Sequence, residues 1–243
     1  MKLLTIVTVT YNAAECIEKT LQSVVGQTAF DEQIEYIVVD GGSKDATMEI
    51  VRRYESKLAR TLSERDHGIF DAMNKGAKLA TAPWICFMNA GDTFVDTEVV
   101  SNLLLEHIPA DRILYGDCIR VYADSRKQDY RTARPFFEHR NEICGVGICH
   151  QSVIQPTHLM QQHPFRWEEF PHCADFDFLW RMYEQQVPFE YLRRAISFYD
   201  YGQGFSSDRR NNRIVFDENA RIAHLKYSWA YWKNQIRHYL FRK

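Results

Sequence analysis

Along the first half of the chain the apolar positions alternate between two rhythms. Leu3 to Thr10, Ile34 to Val39 and Trp84 to Met88 are nearly continuous apolar runs, the pattern of parallel strands covered on both faces. Between them the spacing turns helical: Ile17, Leu21, Val24 and Val25 supply one inward face, and Ile50, Val51, Tyr54 and Leu58 a second. Phe70, Met73, Ala77 and Ala80 recur at i, i+3, i+7 and i+10 and supply a third. Strand, helix, strand, helix, a short linking segment, helix and strand predict a mostly parallel sheet with right-handed crossovers. Glu15 and Glu18 fall in the first turn of the first helix, where carboxylates suit the positive end of its dipole. Ser43 is the expected cap of the second helix, with Asp45 in its first turn.

Beyond Asp92 the rhythm loosens. Residues 95–107 read as a helix with Val99, Val100, Leu103 and Leu104 inward, and Ile113–Asp117 and Cys118–Tyr122 alternate like two antiparallel strands. Residues 124–142 are polar, with Arg126, Lys127, Arg131, Arg134 and Arg140 interspersed with Phe136 and Phe137. They are expected to form a loop over the active face, either a lid or a solvated connection. Phe176, Leu179, Trp180 and Tyr183 set a helix beginning at about Ala174, and Phe189 to Tyr199 reads as a strand.

The polar punctuation carries the functional signal. The apolar strands finish in Thr10-Tyr11-Asn12, in Asp40-Gly41-Gly42-Ser43 and in Asn89-Ala90-Gly91-Asp92. Ligands of open α/β sheets bind at the carboxyl ends of the strands, so the clusters are expected to line one edge. Asp92 can there hold a metal or a ligand, or simply turn the chain. No GxGxxG follows the first strand and no GxxxxGK[ST] occurs anywhere, which turns away dinucleotide dehydrogenases and P-loop NTPases.

Composition narrows the class further. With 243 residues, 45% of them hydrophobic and 26% charged, the chain suits one large α/β domain with an elaborated C-terminal part. A formal net charge of −2 gives no electrostatic case for nucleic acid. The six cysteines are scattered without a CxxC pair or metal-site spacing, and Cys86 lies within an apolar strand, where a reduced thiol is expected. The chain enters its first strand directly, and no apolar run approaches the roughly 20 residues of a membrane span. A reduced, cytoplasmic protein is the simplest expectation. From Arg221 to Lys243 there is no acidic residue, while Lys226, Lys233, Arg237, Arg242 and Lys243 interleave with Trp229, Tyr231, Trp232, Tyr239 and Phe241. Such a basic, aromatic tail suits an anionic membrane surface, and so a peripheral place on the inner face of the plasma membrane. Packing on the domain or on a second subunit is the alternative.

The segments TIVTVTYNAAECIEKTLQSV, EYIVVDGGSKDATMEIV and ERDHGIFDAMNKGAKLATAPWICFMNAGD, in that order, resemble the N-terminal half of family-2 glycosyltransferases. The bacterial polysaccharide-assembly enzymes of the colanic-acid type are the nearest in flavour. The resemblance implies an α/β GT-A fold: a mostly parallel central sheet flanked by helices, with a smaller antiparallel acceptor-side part. It implies a domain over residues 1–212, divided into a nucleotide-binding half (1–107) and an acceptor-side half (108–212), before the helical tail at 213–243. By resemblance Thr10, Tyr11, Asn12 and Asp40 hold base and ribose, with Gly42 in the same loop. Asp66 (in Asp66-His67-Gly68) and Asn74 and Lys75 (in Asn74-Lys75-Gly76) lie near base and diphosphate.

Where the family commonly has Asp-x-Asp-Asp, this chain has Asn89-Ala90-Gly91-Asp92, so the implied Mn²⁺ or Mg²⁺ would rest on Asp92 as its carboxylate. One can suffice where substrate phosphates and waters complete the shell. By resemblance Asp175 is the catalytic base, with Asp177 as fallback, and Asn89, His150 and Gln151 face donor sugar or acceptor. His172 precedes that helix, and Tyr201-Gly202-Gln203-Gly204-Phe205-Ser206-Ser207, Arg209 and Arg210 are candidate phosphate or acceptor contacts.

The implied activity is inverting transfer of a sugar from a nucleotide-diphosphate donor, UDP-linked by family habit. The implied acceptor is a hydroxyl of a glycan or polyprenyl-linked saccharide in bacterial cell-surface polysaccharide synthesis. Two rivals stand beside it. A sugar-nucleotide pyrophosphorylase would show a Gly-rich loop with Arg and Lys after the first strand, which is absent. A degenerate nucleotide-sugar scaffold is suggested by Asn89 and Gly91 and opposed by Asp92 and Asp175.

Overall fold

The computed structural model describes residues 2–122, 127–135, 137, 147–201 and 211–224. In chain order the elements are β1 (Leu4–Thr10), α1 (Ile17–Val25), α2 (Phe30–Gln33), β2 (Ile34–Asp40), α3 (Thr47–Arg52), β3 (Arg60–Ser63), α4 (Ile69–Leu79), β4 (Trp84–Phe87), β5 (Thr93–Phe94), β6 (Ile113–Tyr122), β7 (Gln128–Arg131), β8 (Val153–Pro156), α5 (Thr157–Gln162), α6 (Ala174–Glu184), β9 (Phe189–Tyr201) and α7 (Asn212–Ile222). One sheet runs β3-β2-β1-β4-β8-β6-β9-β5, with β7 beside β6. Its first four strands are parallel, β8 is antiparallel to both neighbours, and β9 runs parallel to β6.

The two apolar rhythms become two cores, one on each face of the sheet. Leu4, Ile6, Tyr36, Val38, Trp84 and Cys86 pack with Ile17, Leu21 and Val24 of α1 and Ile50 and Val51 of α3. Val7, Val9, Ile37, Val39, Ile85 and Phe87 pack with Met73 and Ala77 of α4 and with Phe176, Leu179 and Trp180 of α6. Every residue of β1 and β2 is buried, which explains why neither strand alternates in polarity. Gly76 lets α4 lie close on β1: a Cβ there would stand 2.4 Å from Val7 Cγ1, so the helix keeps a residue of poor helical propensity for the sake of contact. One buried carboxylate inside this slab is fully paired. The Glu35 carboxylate accepts bonds from Thr5 Oγ1 (2.5 Å), Thr81 N (2.7 Å), Thr81 Oγ1 (2.7 Å) and Ala82 N (3.3 Å).

The mostly parallel α/β sheet is as expected, and several local expectations are corrected. The linking segment before α4 contains β3, an edge strand whose mostly exposed residues carry no apolar run. Residues 95–107 are not one helix but hold two short 3₁₀ turns, Ser101–Leu103 and Leu105–His107, separated by Leu104 at φ 51°. Val99, Val100 and Leu103 are buried as expected, whereas Leu104 is exposed and Leu105 is buried in its place. Residues 113–122 form a single strand, and a bulge between Tyr115 and Cys118 produces the break in its alternation. β7 lies inside the stretch expected to be a loop. Ser43 does not cap α3; it bonds Asp40, and Asp45 receives Thr47 N (3.0 Å) at the helix start. α7 begins at Asn212, and its Phe216, Ala220 and Ile222 are buried. The rest of the basic tail, residues 225–243, lies outside the described residues, as do 202–210 with Arg209 and Arg210. Among the described residues no helix is long and apolar enough to cross a membrane.

Candidate active site

The carboxyl ends of β1 and β4, the far half of β6 and the start of α6 enclose a cleft of about 880 Å³. Of the residues singled out from the sequence, Tyr11, Asn12, Asn89, Asp92, Arg131, Arg134, His150, Gln151, His172 and Asp175 are among those that line it. The tip of β1 is stitched to the tip of β2. Asn12 N donates to Ser43 Oγ (2.7 Å), Lys44 N donates to Asn12 Oδ1 (2.9 Å), and Ala13 N donates to Thr47 Oγ1 (2.8 Å). Tyr11 is left 59% exposed at the rim, an open aromatic face at a strand end.

The turn after β4 is pinned by α1. Thr20 Oγ1 donates to the Asp92 carbonyl (2.8 Å) and accepts from Gly91 N (2.9 Å). Gly91 has φ 102°, a conformation open to glycine and strained for a side-chain-bearing residue. Asp92 is thereby buried, with Oδ2 accepting from Gln151 Nε2 (2.6 Å) and Oδ1 from Asp200 N (2.9 Å). Burial outweighs these bonds and pushes its carboxyl up to about 7. Gln151 is oriented in turn by Cys149 Sγ, which donates to its Oε1 (3.1 Å). The nearby Asp200 carboxylate is held by Lys19 (2.6 Å).

This donor set does not build a divalent-cation cage. Both Asp92 oxygens already accept hydrogen bonds, Asp200 is paired with a lysine, and position 89 offers an amide. Among the described residues no group of three or more His, Cys, Asp or Glu side chains could hold a metal ion.

Asp175 stands in the first turn of α6, half-buried, with Oδ1 accepting from Phe176 N (2.9 Å). Burial raises its carboxyl to about 6, and the negative charge of Glu218 adds to the rise. Glu218 reaches over from α7 and fixes the entry to α6: it accepts from His172 N (3.1 Å) and Cys173 N (3.0 Å) and bonds His172 Nδ1 (2.7 Å). His150 stacks on Phe87 (5.5 Å between centroids), and burial lowers its imidazole to about 4, so it is neutral at physiological pH. His150 Nε2, Asn89 Oδ1 and Arg120 Nε are buried without a hydrogen-bond partner, and all three residues line the cleft. Buried polar atoms in folded proteins are nearly always paired, so three orphaned atoms on residues of one cleft suit a polar ligand there.

The other expected residues lie elsewhere. Asp177, the fallback base, is buried and gripped by Arg166 and Arg181 (Nε at 3.0 and 2.9 Å) and does not line the cleft. Asn74 clamps the main chain of Phe165, donating to its carbonyl and accepting from its N (2.9 Å each), with neither end of its amide aimed at the cleft. Lys75 is drawn to Glu64 (2.9 Å) and Asp71 (3.5 Å) beside α4. Thr10 is buried beneath the β1 tip. Asp40 shapes its own loop, accepting from Gly42 N (3.2 Å), Ser43 N (3.0 Å) and Ser63 Oγ (2.6 Å), and Asp66 packs against Gly41 in the same corner. Asp200, Arg120 and Glu218 were not anticipated. Asp200 carried a readable signal, a carboxylate at the end of a strand. Arg120 lies mid-pattern in β6, and Glu218 lies in a helix assigned to the tail.

Comparison with known proteins agrees with this architecture. A PGL/p-HBAD biosynthesis glycosyltransferase of Mycobacterium bovis (strain BCG / Pasteur 1173P2) is 32% identical over 151 residues, 60% of this chain and 56% of that protein. Validoxylamine A glucosyltransferase of Streptomyces hygroscopicus subsp. jinggangensis is 36% identical over 121 residues, 48% of this chain and 28% of that protein. The chain thus spans about half the length, or less, of these curated relatives. Among solved structures, S. aureus TarS 1-349 in complex with UDP-GlcNAc superposes with a TM-score of 0.68 at 18% identity, over 94% of this chain and 74% of that one. The mannosyltransferase PcManGT of Pyrobaculum calidifontis, in complex with GDP-Man and Mn2+, gives 0.63 at 16% identity, over 96% and 64%. The fold is the GT-A arrangement of these neighbours. The model of the family described as "Glycosyl transferase family 2" matches residues 5–165. The chain belongs to glycosyl transferase family 2.

Proposed function

We propose that the chain transfers a sugar from a nucleoside-diphosphate donor to a hydroxyl of a glycan or lipid-linked saccharide, with inversion at the anomeric carbon. The observation that carries this reading is the carboxylate of Asp175, raised to about 6 and facing the same cleft as the β1 and β4 tips. A general base works best when its pKa lies near the working pH. The acceptor hydroxyl attacks the anomeric carbon from the side opposite the leaving group. The new C–O bond forms as the bond to the diphosphate oxygen breaks, and the hydroxyl proton passes to a carboxylate oxygen of Asp175. The exposed ring of Tyr11 with Asn12 offers the nucleoside a surface, and Asn89 and the neutral His150 offer polar atoms to the sugar. The UDP and UDP-GlcNAc complexes of TarS support a UDP-linked donor, and the glycosyltransferase relatives support the reaction class. The expected Mn²⁺ or Mg²⁺ on Asp92 does not fit this donor set, and no step above depends on it.

D175N is expected to abolish transfer while leaving nucleotide binding intact, read by product formation and by calorimetry. A carboxyl raised by burial opposes folding above its unfolded pKa of about 4, so D175N is expected to melt no lower than the parent at neutral pH. Unchanged transfer would remove Asp175 from the base role. The second reading, a nucleotide-sugar-binding scaffold without turnover, is favoured by Asn89 and Gly91 in place of carboxylates. It predicts nucleotide binding with no transfer to any acceptor.

A further inference from the structure

One part of the cleft lining is cationic. Arg120, Arg131 and Arg134 come from β6, β7 and the segment just after β7, and all three line the cavity. Arg131 is paired with Asp129 (3.3 Å). Arg120 is different: its guanidinium carbon lies 4.9 Å from the centroid of the Tyr201 ring, and its Nε is buried with no hydrogen-bond partner. An arginine cannot lose its proton to escape this position, and a buried donor left unpaired is destabilising. The strand pattern explains how the charge is held there. Arg120 sits between Asp129 on β7 and Tyr199 on β9 in the sheet register, so its stem is flanked on both sides by paired strands.

We propose that Arg120, supported by Arg131, is a phosphate-binding subsite of the cleft that supplies in guanidinium form the positive charge that the Asp92 turn is poorly built to hold as a metal ion. This deepens the function proposed above and rests on it. The planar fork of arginine matches phosphate oxygens bidentately. Fixed cations aimed at a leaving diphosphate stabilise the charge that develops there. The same chemistry would serve a phosphate carried by the acceptor, and the two sources are separable by experiment.

The test is calorimetric titration of the full chain and of R120Q, without metal, using four probes: uridine, UDP, inorganic pyrophosphate and farnesyl phosphate. A subsite for the donor predicts that R120Q weakens UDP and pyrophosphate at least tenfold and leaves uridine unchanged. A subsite for the acceptor predicts the loss for farnesyl phosphate alone. R120K, which keeps the charge without the fork, is expected to fall between parent and R120Q, and circular dichroism of each variant checks the fold. R120Q binding every phosphate probe as the parent does would overturn the subsite, as would uridine and UDP weakening in parallel. A parent protein that binds no nucleoside but holds pyrophosphate through Arg120 would overturn the proposed function and leave the subsite standing.

Discussion

Asp175 and Asp177 are two residues apart on one helix, yet their surroundings differ sharply. Asp177 is enclosed by two guanidinium groups and is committed to holding α6 against the segment around Arg166. Asp175 has one backbone donor and an open side, and burial lifts its carboxyl to about 6. Paired carboxylates with divergent environments are how one site acquires a distinct proton acceptor. If Asp175 is the base, kcat/KM should fall tenfold per pH unit below about 6 and level off above it. His150, lowered to about 4, is neutral throughout that range and contributes no limb. On the proposed function, Glu218 would act through Asp175 as a positioning residue. Removing its negative charge in E218Q should move the acidic limb to lower pH, with circular dichroism and melting checking that the α6 entry stays folded. An unmoved limb in folded E218Q would contradict that coupling. The sequence could rank these two aspartates only through family resemblance. What separates them physically is Arg166 on one side and Glu218 on the other, and both lie outside the helix that carries the motif.

Among the elements, β1 and β2 are the most legible and the most consequential. Their apolar runs predicted strands within a residue or so of Leu4–Thr10 and Ile34–Asp40, because both faces are covered and no alternation intrudes. β3 escaped because an exposed edge strand has no apolar rhythm, and β5, at two residues, is too short to have one. The helix expected over residues 95–107 fails at Leu104, where the chain takes a left-handed step and moves the buried position to Leu105. The one charged residue within β2 that looks out of place, Glu35, fastens β1, β2 and the entry to β4 together. Burial alone would raise its carboxyl, but the bonds from Thr5, Thr81 and Ala82 prevail and lower it. A carboxyl lowered in the folded state contributes stability above its unfolded pKa and loses it as pH falls towards the folded value. E35Q should therefore destabilise the protein by about 2 kcal/mol near neutral pH, the scale of hydrogen bonds to a charged group. The gap to the parent should narrow below about pH 4. Thermal unfolding of both proteins across that range checks the sign, and a gap constant with pH would contradict it.

At the scale of the molecule, a parallel half carrying three polar strand tips is joined edge to edge with a mixed half carrying arginines and the Asp175 helix. β4 and β8 form the seam, and the cleft lies across it. The parallel half was open to sequence reading because its periods are local. The mixed half was less so, since β6, β8 and β9 are brought together by long-range pairing that leaves little trace in spacing. Tyr11, Asn12, Asn89 and Asp92 line the cleft because strand-tip positions follow from strand order, whereas Asn74 and Asp177 belong to contacts with distant segments. The same architecture bears on the donor. The β1 tip offers an aromatic surface, the cleft lining offers guanidinium charge, and the turn after β4 carries Asp92 without a second free carboxylate.

The central claim is that this cleft holds a nucleoside-diphosphate donor, and calorimetric titration of UDP, GDP and CDP, each with and without Mn²⁺, tests it most directly. The account predicts that one of the three binds measurably, and that it does so without added Mn²⁺. Folded protein that binds none of the three under either condition would contradict it.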